Sequence, residues 1–146
     1  MNIERTTDID FIVKCVMASY DLTSDDSSPP KDLWFPPIHQ GVTWVRVEDY
    51  GVFCLTKMHD ILYEVHTVLL PCAKGKAVEI GKAALQWAWQ NTAAKRIVTN
   101  VPAFNPLALR LAKKVGFEVY GVNVGSFIKN GIKYDQVMLG INNGGI

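Results

Sequence analysis

A strand-like run, a helix-like run and a second strand-like run follow one another between residues 61 and 101. The first is the apolar stretch from Ile61 to Leu70, the second is the amphipathic stretch from Lys76 to Asn91, and the third is the β-branched stretch from Arg96 to Val101. A strand–helix–strand connection of this kind crosses over a sheet and makes its two strands parallel neighbours. The chain therefore has an α/β core in which a helix covers one face of the sheet.

The segments on either side add strands and helices to this core. Further strands are predicted at Ile3–Thr6, Val42–Val47, Val52–Met58, Phe117–Phe127 and Ile132–Ile141. Short turns join the strands before Pro71 into an antiparallel meander, and Asn130-Gly131 is a strong signal for a two-residue hairpin. Thr7 is predicted to cap a first helix, and Asn105 to cap a last helix that ends at Gly116. Residues 1–146 thus form one domain with a mixed sheet of about seven strands and helices on both faces.

Charge and composition exclude several classes of protein. The net charge is +1 and no run of like charges occurs, which argues against a nucleic-acid binder and against a polybasic membrane patch. No apolar stretch reaches the ~18 residues of a membrane span, and the charged start of the chain lacks the apolar core of a signal peptide. The three cysteines are odd in number and widely spaced, so they do not suggest a disulfide framework. We expect a cytoplasmic protein.

A long loop is predicted over residues 21–40, where four prolines and four aspartates discourage regular structure. The aspartates could attract a cationic group, or they could form a solvated turn. The loop also carries four large apolar side chains, Leu33, Trp34, Phe35 and Ile38. These side chains either pack the loop onto the domain or form a wall on the substrate side, because long ordered loops in small domains are often functional.

The stretch PCAKGKA, residues 71–77, connects the first crossover strand to its helix. A helix start has unpaired backbone N–H groups and a positive dipole end, Gly75 allows close approach of a ligand, and Lys74 and Lys76 add charge. The spacing is neither that of a Walker loop nor GxGxxG. The local residues leave two interpretations open, a phosphate-binding loop or a plain connection.

Two motifs on this order of elements resemble the GNAT superfamily of acetyl-CoA-dependent N-acetyltransferases. The phosphate loop of that family reads Gln or Arg, two residues, Gly, one residue, then Gly or Ala. Residues 72–77 keep Gly75 and Ala77 but have Cys72 at the first position. The later family motif has an Asn, an Ala three residues on, and a helix that ends in Gly-Phe. It is matched by Asn105, Ala108, Gly116 and Phe117.

The resemblance implies acetyl-CoA as cosubstrate and a centrally splayed sheet, with pantetheine lying between the two crossover strands. Backbone groups of Val68, Leu69 and Leu70 would bind the pantetheine. Backbone N–H groups of Lys74, Gly75, Lys76 and Ala77 would bind the pyrophosphate. Asn105 would face the cofactor or a bridging water, or it would serve only as a helix cap.

The resemblance also implies direct attack of an amine on the thioester, which needs a base and can use an acid. Glu64 and His66 alternate onto one face of the central strand, so they are the candidate bases, unless they are only polar residues at the edge of the core. Members of the family that use a tyrosine as the acid carry it four residues before the Gly of Gly-Phe. This position is Ala112 here. Tyr120 follows nearby, but the sequence does not show whether its hydroxyl lies close to the thioester sulfur of acetyl-CoA.

Other interpretations remain open. The run from Glu64 and His66 through Ala88-Trp89 to the helix end AKKVGF also resembles small phage-encoded GNAT-like proteins. The alternative function is therefore a catalytically inert protein with a structural, head-assembly or virion role. The last hairpin of similar proteins often pairs subunits, so a homodimer is possible. The spacings of Cys54, His59, His66 and Cys72 match no common zinc pattern, so we predict no metal site. The identity of the acceptor amine is not encoded in any motif.

Overall fold

In a computed structural model, which describes residues 1–145, the chain forms one seven-stranded mixed sheet with helices on both faces. The last residue of the predicted domain, Ile146, lies outside the described residues. The strands are β1 (Ile3–Arg5), β2 (Val42–Val47), β3 (Gly51–His59), β4 (Leu62–Leu69), β5 (Arg96–Pro102), β6 (Glu118–Lys129) and β7 (Ile132–Asn142). The helices are α1 (Ile9–Ala18), α2 (Tyr20–Thr23), α3 (Ala77–Asn91) and α4 (Pro106–Val115). The strand order is β1-β2-β3-β4-β5-β7-β6, and among these described strands only β4 and β5 pair in parallel.

The sequence placed all seven strands to within two residues, and it was wrong about two details near the start of the chain. Asp8, not Thr7, caps α1, and its carboxylate accepts the N–H of Phe11 at 3.1 Å. The hydroxyl of Thr6 accepts the N–H of Asp8, which places Asp8 last before the helix. The predicted loop over residues 21–40 is not wholly irregular. It begins inside α2, and Lys31–Leu33 forms one turn of 3-10 helix.

Two apolar clusters hold the helices against opposite faces of the sheet. Helices α3 and α4 cover the face that carries Phe53, Leu55, Ile97 and Leu139, all fully buried. Helix α1 covers the other face, where Ile12, Cys15 and Val16 pack against Val52 and Leu70. Side chains alternate between these two faces along each strand.

The two parallel strands pair over a short length and then separate. The register joins Leu62 to Arg96, Tyr63 to Ile97, and Glu64 to Val98. Pairing stops there, although β4 continues to Leu69 and β5 continues to Pro102. The predicted crossover and central splay are therefore confirmed. The separation leaves a gap at the carboxyl ends of β4 and β5, the usual place for a ligand in an α/β sheet.

The start of β3 supports the free end of β4, and we expect Gly51→Ala to destabilise the fold by about 2 kcal/mol because of overpacking. A Cβ at Gly51 would lie 2.3 Å from the carbonyl oxygen of Val68 and 2.9 Å from Cα of Leu69. Both are backbone atoms, which cannot retreat without breaking the β3–β4 ladder. Urea unfolding would measure the loss. Gly41→Ala is the control, because its nearest contact would be 3.5 Å, and equal stability of the two variants would contradict the prediction.

Candidate active site

A cleft of about 580 Å³ follows the gap between β4 and β5 and is lined from both faces of the sheet. On the α1 face its walls include Trp34, Trp44, Glu64, His66 and Asn100. On the opposite face they include Thr67, Leu69, Ala77, Asn105 and Ala112. The cleft therefore joins the phosphate-loop end of the crossover to the polar residues of β4 through the body of the sheet.

A short hydrogen-bonded network occupies the point where the two strands separate. His66 Nε2 lies 3.0 Å from Glu64 Oε1, and Asn100 Nδ2 donates to Glu64 Oε2 at 3.3 Å. The side chain of Glu64 is 21% exposed and that of His66 is 56% exposed. The hydrogen bond from His66 lowers the pKa of Glu64 below its usual value, against burial, which raises it. Glu64 is thus an ionised carboxylate inside the cleft, and His66 connects it to solvent.

The predicted placement of Glu64 and His66 on one face of the strand is confirmed, and the pair can accept and pass on a proton. Cys54 lies opposite His66 in the β3–β4 register and also lines the cleft. Burial raises the pKa of this thiol to about 11, so it stays protonated near neutral pH and is a poor nucleophile. Among the residues described, the carboxylate and the imidazole are the groups in the cleft lining suited to act as a base.

Of the PCAKGKA loop, Ala77, the first residue of α3, lines the other end of the cleft, whereas Lys74, Gly75 and Lys76 are not among the lining residues of the described chain. No side chain of the described residues caps α3, whereas Asn105 caps α4 through the N–H of Ala108. Within residues 1–145, the first three N–H groups of α3, those of Ala77, Val78 and Glu79, have no acceptor. Gly75 has a φ of +84°, and a Cβ there would meet nothing within 4 Å. This combination leaves backbone donors and free space for an anion.

The side chains of the loop are placed unequally around this helix start. Lys76 Nζ donates to the hydroxyl of Tyr50 at 2.8 Å, and this hydrogen bond raises the pKa of the exposed lysine. The backbone N–H groups of Lys74 and Lys76 bond within the loop, to the carbonyls of Pro71 and Ala73. Of the four predicted pyrophosphate donors, Gly75 and Ala77 therefore have the N–H groups that remain open.

Cys72, where the sequence departs from the family motif, does not line the cleft. Its thiol donates to the carbonyl oxygen of Asp49 at 3.4 Å and lies in a separate surface hollow beside Tyr50. The side chain at this position is turned away from the space where a cofactor would lie. This departure from the family motif therefore lies outside the lining of the cleft.

The backbone of β4 presents its hydrogen-bonding groups alternately to β3 and to the gap. The N–H of Leu70 donates to the carbonyl of Tyr50 at 2.7 Å, toward β3. The groups of Val68, two residues earlier, have the same direction, whereas those of Leu69, Thr67 and Val65 face the gap. Among the three predicted pantetheine contacts, Leu69 is the one whose amide points into the cleft.

The position expected for an acid offers no hydroxyl. Ala112 lines the cleft, and Tyr120 is 52% exposed with its ring 5.2 Å from the guanidinium of Arg96. No tyrosine lines the cleft in the described part of the chain. Asn105 lines the cleft as well as capping α4, so both of its predicted roles remain compatible with the structure.

The sequence did not identify Asn100 or Trp44 as site residues. Asn100 faces Glu64 only because β4 and β5 pair from Leu62 and Arg96 onward, and this register has no local signal. Trp44 is partly buried against the α1 cluster and also lines the cleft.

Two further findings concern features outside the cleft. Across residues 1–145, no three His, Cys, Asp or Glu side chains lie together as metal ligands would. In the same range, every helix is too short or too polar to span a bilayer.

Comparison with known proteins identifies the family. A family model described as an acetyltransferase (GNAT) domain matches residues 35–118, more than half of the chain. The chain belongs to the GNAT family. This confirms the family predicted from the two motifs. A comparison with curated proteins gave no match.

Solved GNAT structures have the same fold. A spermidine N-acetyltransferase from Vibrio cholerae, in complex with CoA and spermine, is 20% identical with a TM-score of 0.79, and the match covers 99% of this chain and 96% of that chain. A dodecameric structure of a spermidine N-acetyltransferase from the same organism is 24% identical with a TM-score of 0.63, covering 70% of this chain and 66% of that chain. A GNAT-family acetyltransferase from Bacillus anthracis is 20% identical with a TM-score of 0.59, covering 70% and 66%. At these identities the likeness establishes the fold.

Proposed function

We propose that this GNAT protein is an N-acetyltransferase that moves an acetyl group from acetyl-CoA to a primary amine by direct attack. The observation that carries the proposal is the continuous cleft between β4 and β5. It has open backbone donors at one end and the Glu64–His66–Asn100 network at the other. These are the two chemical requirements of the reaction, an anion site and a base, joined by a channel.

The cofactor is held mainly by backbone groups. The pyrophosphate binds to the N–H groups of Gly75, Ala77 and the next residues of α3, with Lys74 nearby at the surface. The pantetheine extends along β4, where the amide groups of Leu69, Thr67 and Val65 face the gap. The amide nitrogen of Asn105 has no protein partner among the described residues and can donate to the same ligand. Backbone recognition explains why the cleft tolerates Cys72.

The chemistry needs a neutral amine and a leaving thiolate. The Glu64 carboxylate takes the proton of the incoming ammonium, directly or through one water, and His66 passes it to solvent. The amine nitrogen then forms a bond to the acetyl carbon, and the bond from that carbon to sulfur breaks. The second proton of the nitrogen is lost to water through the same Glu64–His66 pair, which leaves the neutral amide. CoA leaves as a thiolate that takes its proton from water, because the cleft lining of the described chain supplies no tyrosine for this step.

A tyrosine introduced at position 112 should supply the missing acid. We expect Ala112→Tyr to raise kcat by up to about tenfold, less than the ~10²–10⁴-fold typical of acid–base catalysis, because a thiolate already leaves well. Ala112→Phe is the control, since it adds the ring without the hydroxyl. Steady-state assays of CoA release would compare the two. Equal rates for the two variants would contradict this explanation of the missing acid.

The proposed activity is tested by titrating the protein with acetyl-CoA in a calorimeter and then measuring CoA release with a panel of amines. Micromolar binding and amine-dependent release support the enzyme. Absence of binding at millimolar acetyl-CoA would refute the proposal. It would favour the alternative, an inert GNAT-fold protein with a structural role, and the lack of a tyrosine at position 112 agrees with that alternative. The phage origin suggested by the sequence stays a prediction.

Subunit pairing through the last hairpin also remains a proposal. Strand β6 lies at the edge of the sheet and exposes several apolar side chains, among them Val122 and Val124. An exposed apolar edge strand is a surface on which a second copy can pair.

A further inference from the structure

The loop aspartates are not a cation-binding surface of the cleft. Asp21 pairs with Lys31 at 2.9 Å, and Asp25 accepts hydrogen bonds from the side chains of Ser27 and Ser28. The carboxylate of Asp26 accepts the backbone N–H groups of the β6–β7 turn, at 2.7 and 3.0 Å. None of the four aspartates of the loop lines the cleft. Contacts within the fold therefore occupy three of the four carboxylates, which does not support the interpretation that they attract a cationic amine.

The same loop instead presents a tryptophan to the acceptor side of the cleft. Trp34 and Pro37 line the cleft from the loop, and Trp44 lines it from β2. The indole N–H of Trp44 donates to the carbonyl of Pro37 at 3.0 Å, which ties the loop to the sheet. Both indoles are partly buried against the α1 cluster, so their orientation is set before any ligand arrives. We call Trp34, Pro37 and Trp44 the aromatic wall.

The loop that carries the aromatic wall is fixed at several points. The hydroxyl of Tyr20 donates to the carbonyl of Pro29, and Asp26 bonds to the hairpin tip. Lys129 donates to the carbonyl of Ser24 at 2.6 Å. In contrast, Leu33 and Phe35, the neighbours of Trp34, are 70% and 65% exposed and point to solvent. The wall is therefore preformed, and it reaches the cleft through Trp34 rather than through the neighbouring apolar side chains.

The charge of the cleft limits how many ammonium groups a bound acceptor can carry. Glu64 is the single carboxylate among the lining residues of the described chain, and His66 and Asn100 already bond to it. The rest of the acceptor side is apolar or neutral, including Val16, Cys54 and the aromatic wall. Each ammonium group placed there without a partner would lose its hydration without compensation. The cleft has one counter-charge, which suits an acceptor with one amine.

We propose that the acceptor is a monoamine with a flat apolar body, an arylalkylamine in chemical class, and not a polyamine. This inference rests on the proposed function. The amine lies at Glu64, where the carboxylate receives its proton, and the aromatic body packs against Trp34 and Trp44. Aromatic pairs and buried apolar area favour such a body, whereas a polyamine would bring several charges to a site with one carboxylate.

The test is a competition between phenethylamine and spermidine at equal concentration, with acetyl-CoA present. We expect kcat/KM for phenethylamine to exceed that for spermidine by at least about tenfold, because of aromatic packing. A preference for spermidine, or equal use of the two, would overturn the inference. Acetylation of neither amine, while calorimetry shows acetyl-CoA bound, would also overturn it. Failure to bind acetyl-CoA would instead refute the proposed function, so the two failures are distinguishable.

A pair of variants tests the aromatic wall itself. Trp34→Ala should lower kcat/KM for phenethylamine by about tenfold through KM and leave acetyl-CoA affinity unchanged, while Trp34→Phe should keep most of the activity. Leu33→Ala is the matched control, because Leu33 is next in the chain but points to solvent. An equal effect of Trp34→Ala and Leu33→Ala would contradict a role for the wall. Unchanged circular dichroism of Trp34→Ala excludes misfolding as the cause.

Discussion

Replacing Glu64 with glutamine is expected to lower kcat for acetyl transfer by about a hundredfold, within the range typical of a lost general base. Glutamine keeps the size of the side chain and can still bond to Asn100, so the network and the cleft should keep their shape. It cannot accept the ammonium proton at neutral pH. Acetyl-CoA affinity, measured by calorimetry, should stay within about twofold, because the change lies at the opposite end of the cleft from the phosphate loop.

The pH profile distinguishes a base from a residue that only holds its neighbours. Because His66 lowers the pKa of Glu64, the carboxylate remains ionised across neutral pH. The ratio of wild-type to Glu64→Gln rates should therefore be constant from about pH 6 upward, where a carboxylate of lowered pKa stays charged. His66→Gln is the comparison variant and should lower kcat less, by about tenfold. It removes the group that passes the proton to solvent but leaves the carboxylate in place. A loss below threefold for Glu64→Gln would refute its role as base.

Replacing Gly75 with aspartate is expected to weaken acetyl-CoA binding by about a hundredfold, or roughly 2.8 kcal/mol. A Cβ at Gly75 meets open space, so the added carboxylate fits sterically, but it lies where the pyrophosphate would bind. Two unit charges 4 Å apart near a protein surface repel by about 4 kcal/mol, which is enough for this loss. The measurement is a calorimetric titration with acetyl-CoA.

Gly75→Asn separates the charge from the backbone geometry. Gly75 has a positive φ, which asparagine tolerates better than most residues and about as well as aspartate. Asparagine has nearly the shape of aspartate without the charge, so we expect it to bind acetyl-CoA at least about tenfold more tightly than the aspartate variant. Added salt should reduce the difference in acetyl-CoA affinity between the two variants, because exposed charges are screened. Equal affinities for the two would mean that no anion binds at this loop.

The sequence predicted the features that depend on long periodic runs or on local chemistry. Strands β4 and β5 were predictable from an apolar run and a β-branched run, and helix α3 was predictable from a helical period of apolar residues that persists over several turns. The Asn130-Gly131 hairpin was predictable because both residues adopt positive φ, which few other pairs allow. The shared face of Glu64 and His66 follows directly from strand alternation.

Features that depend on distant pairing were not predictable. Thr7 and Asp8 are both good caps, and the choice between them depends on the bond from Asp8 to Thr6. The role of Asp26 depends on backbone donors in the β6–β7 turn, over a hundred residues further along the chain. Asn100 meets Glu64 only in the observed register of β4 and β5. No local pattern encodes these contacts, since each of them joins segments that come together only in the folded sheet.

The bond between Asp26 and the last hairpin sets an order of assembly. The loop that carries Trp34 lies in the first third of the chain, but its anchors, Lys129 and the Asn130-Gly131 turn, are synthesised more than a hundred residues later. The meander and the phosphate loop have their own contacts before the hairpin emerges from the ribosome. Strand β5, the other wall of the gap, pairs along its whole length with β7. Both sides of the cleft are therefore completed only when β6 and β7 dock, after nearly the whole chain has been synthesised.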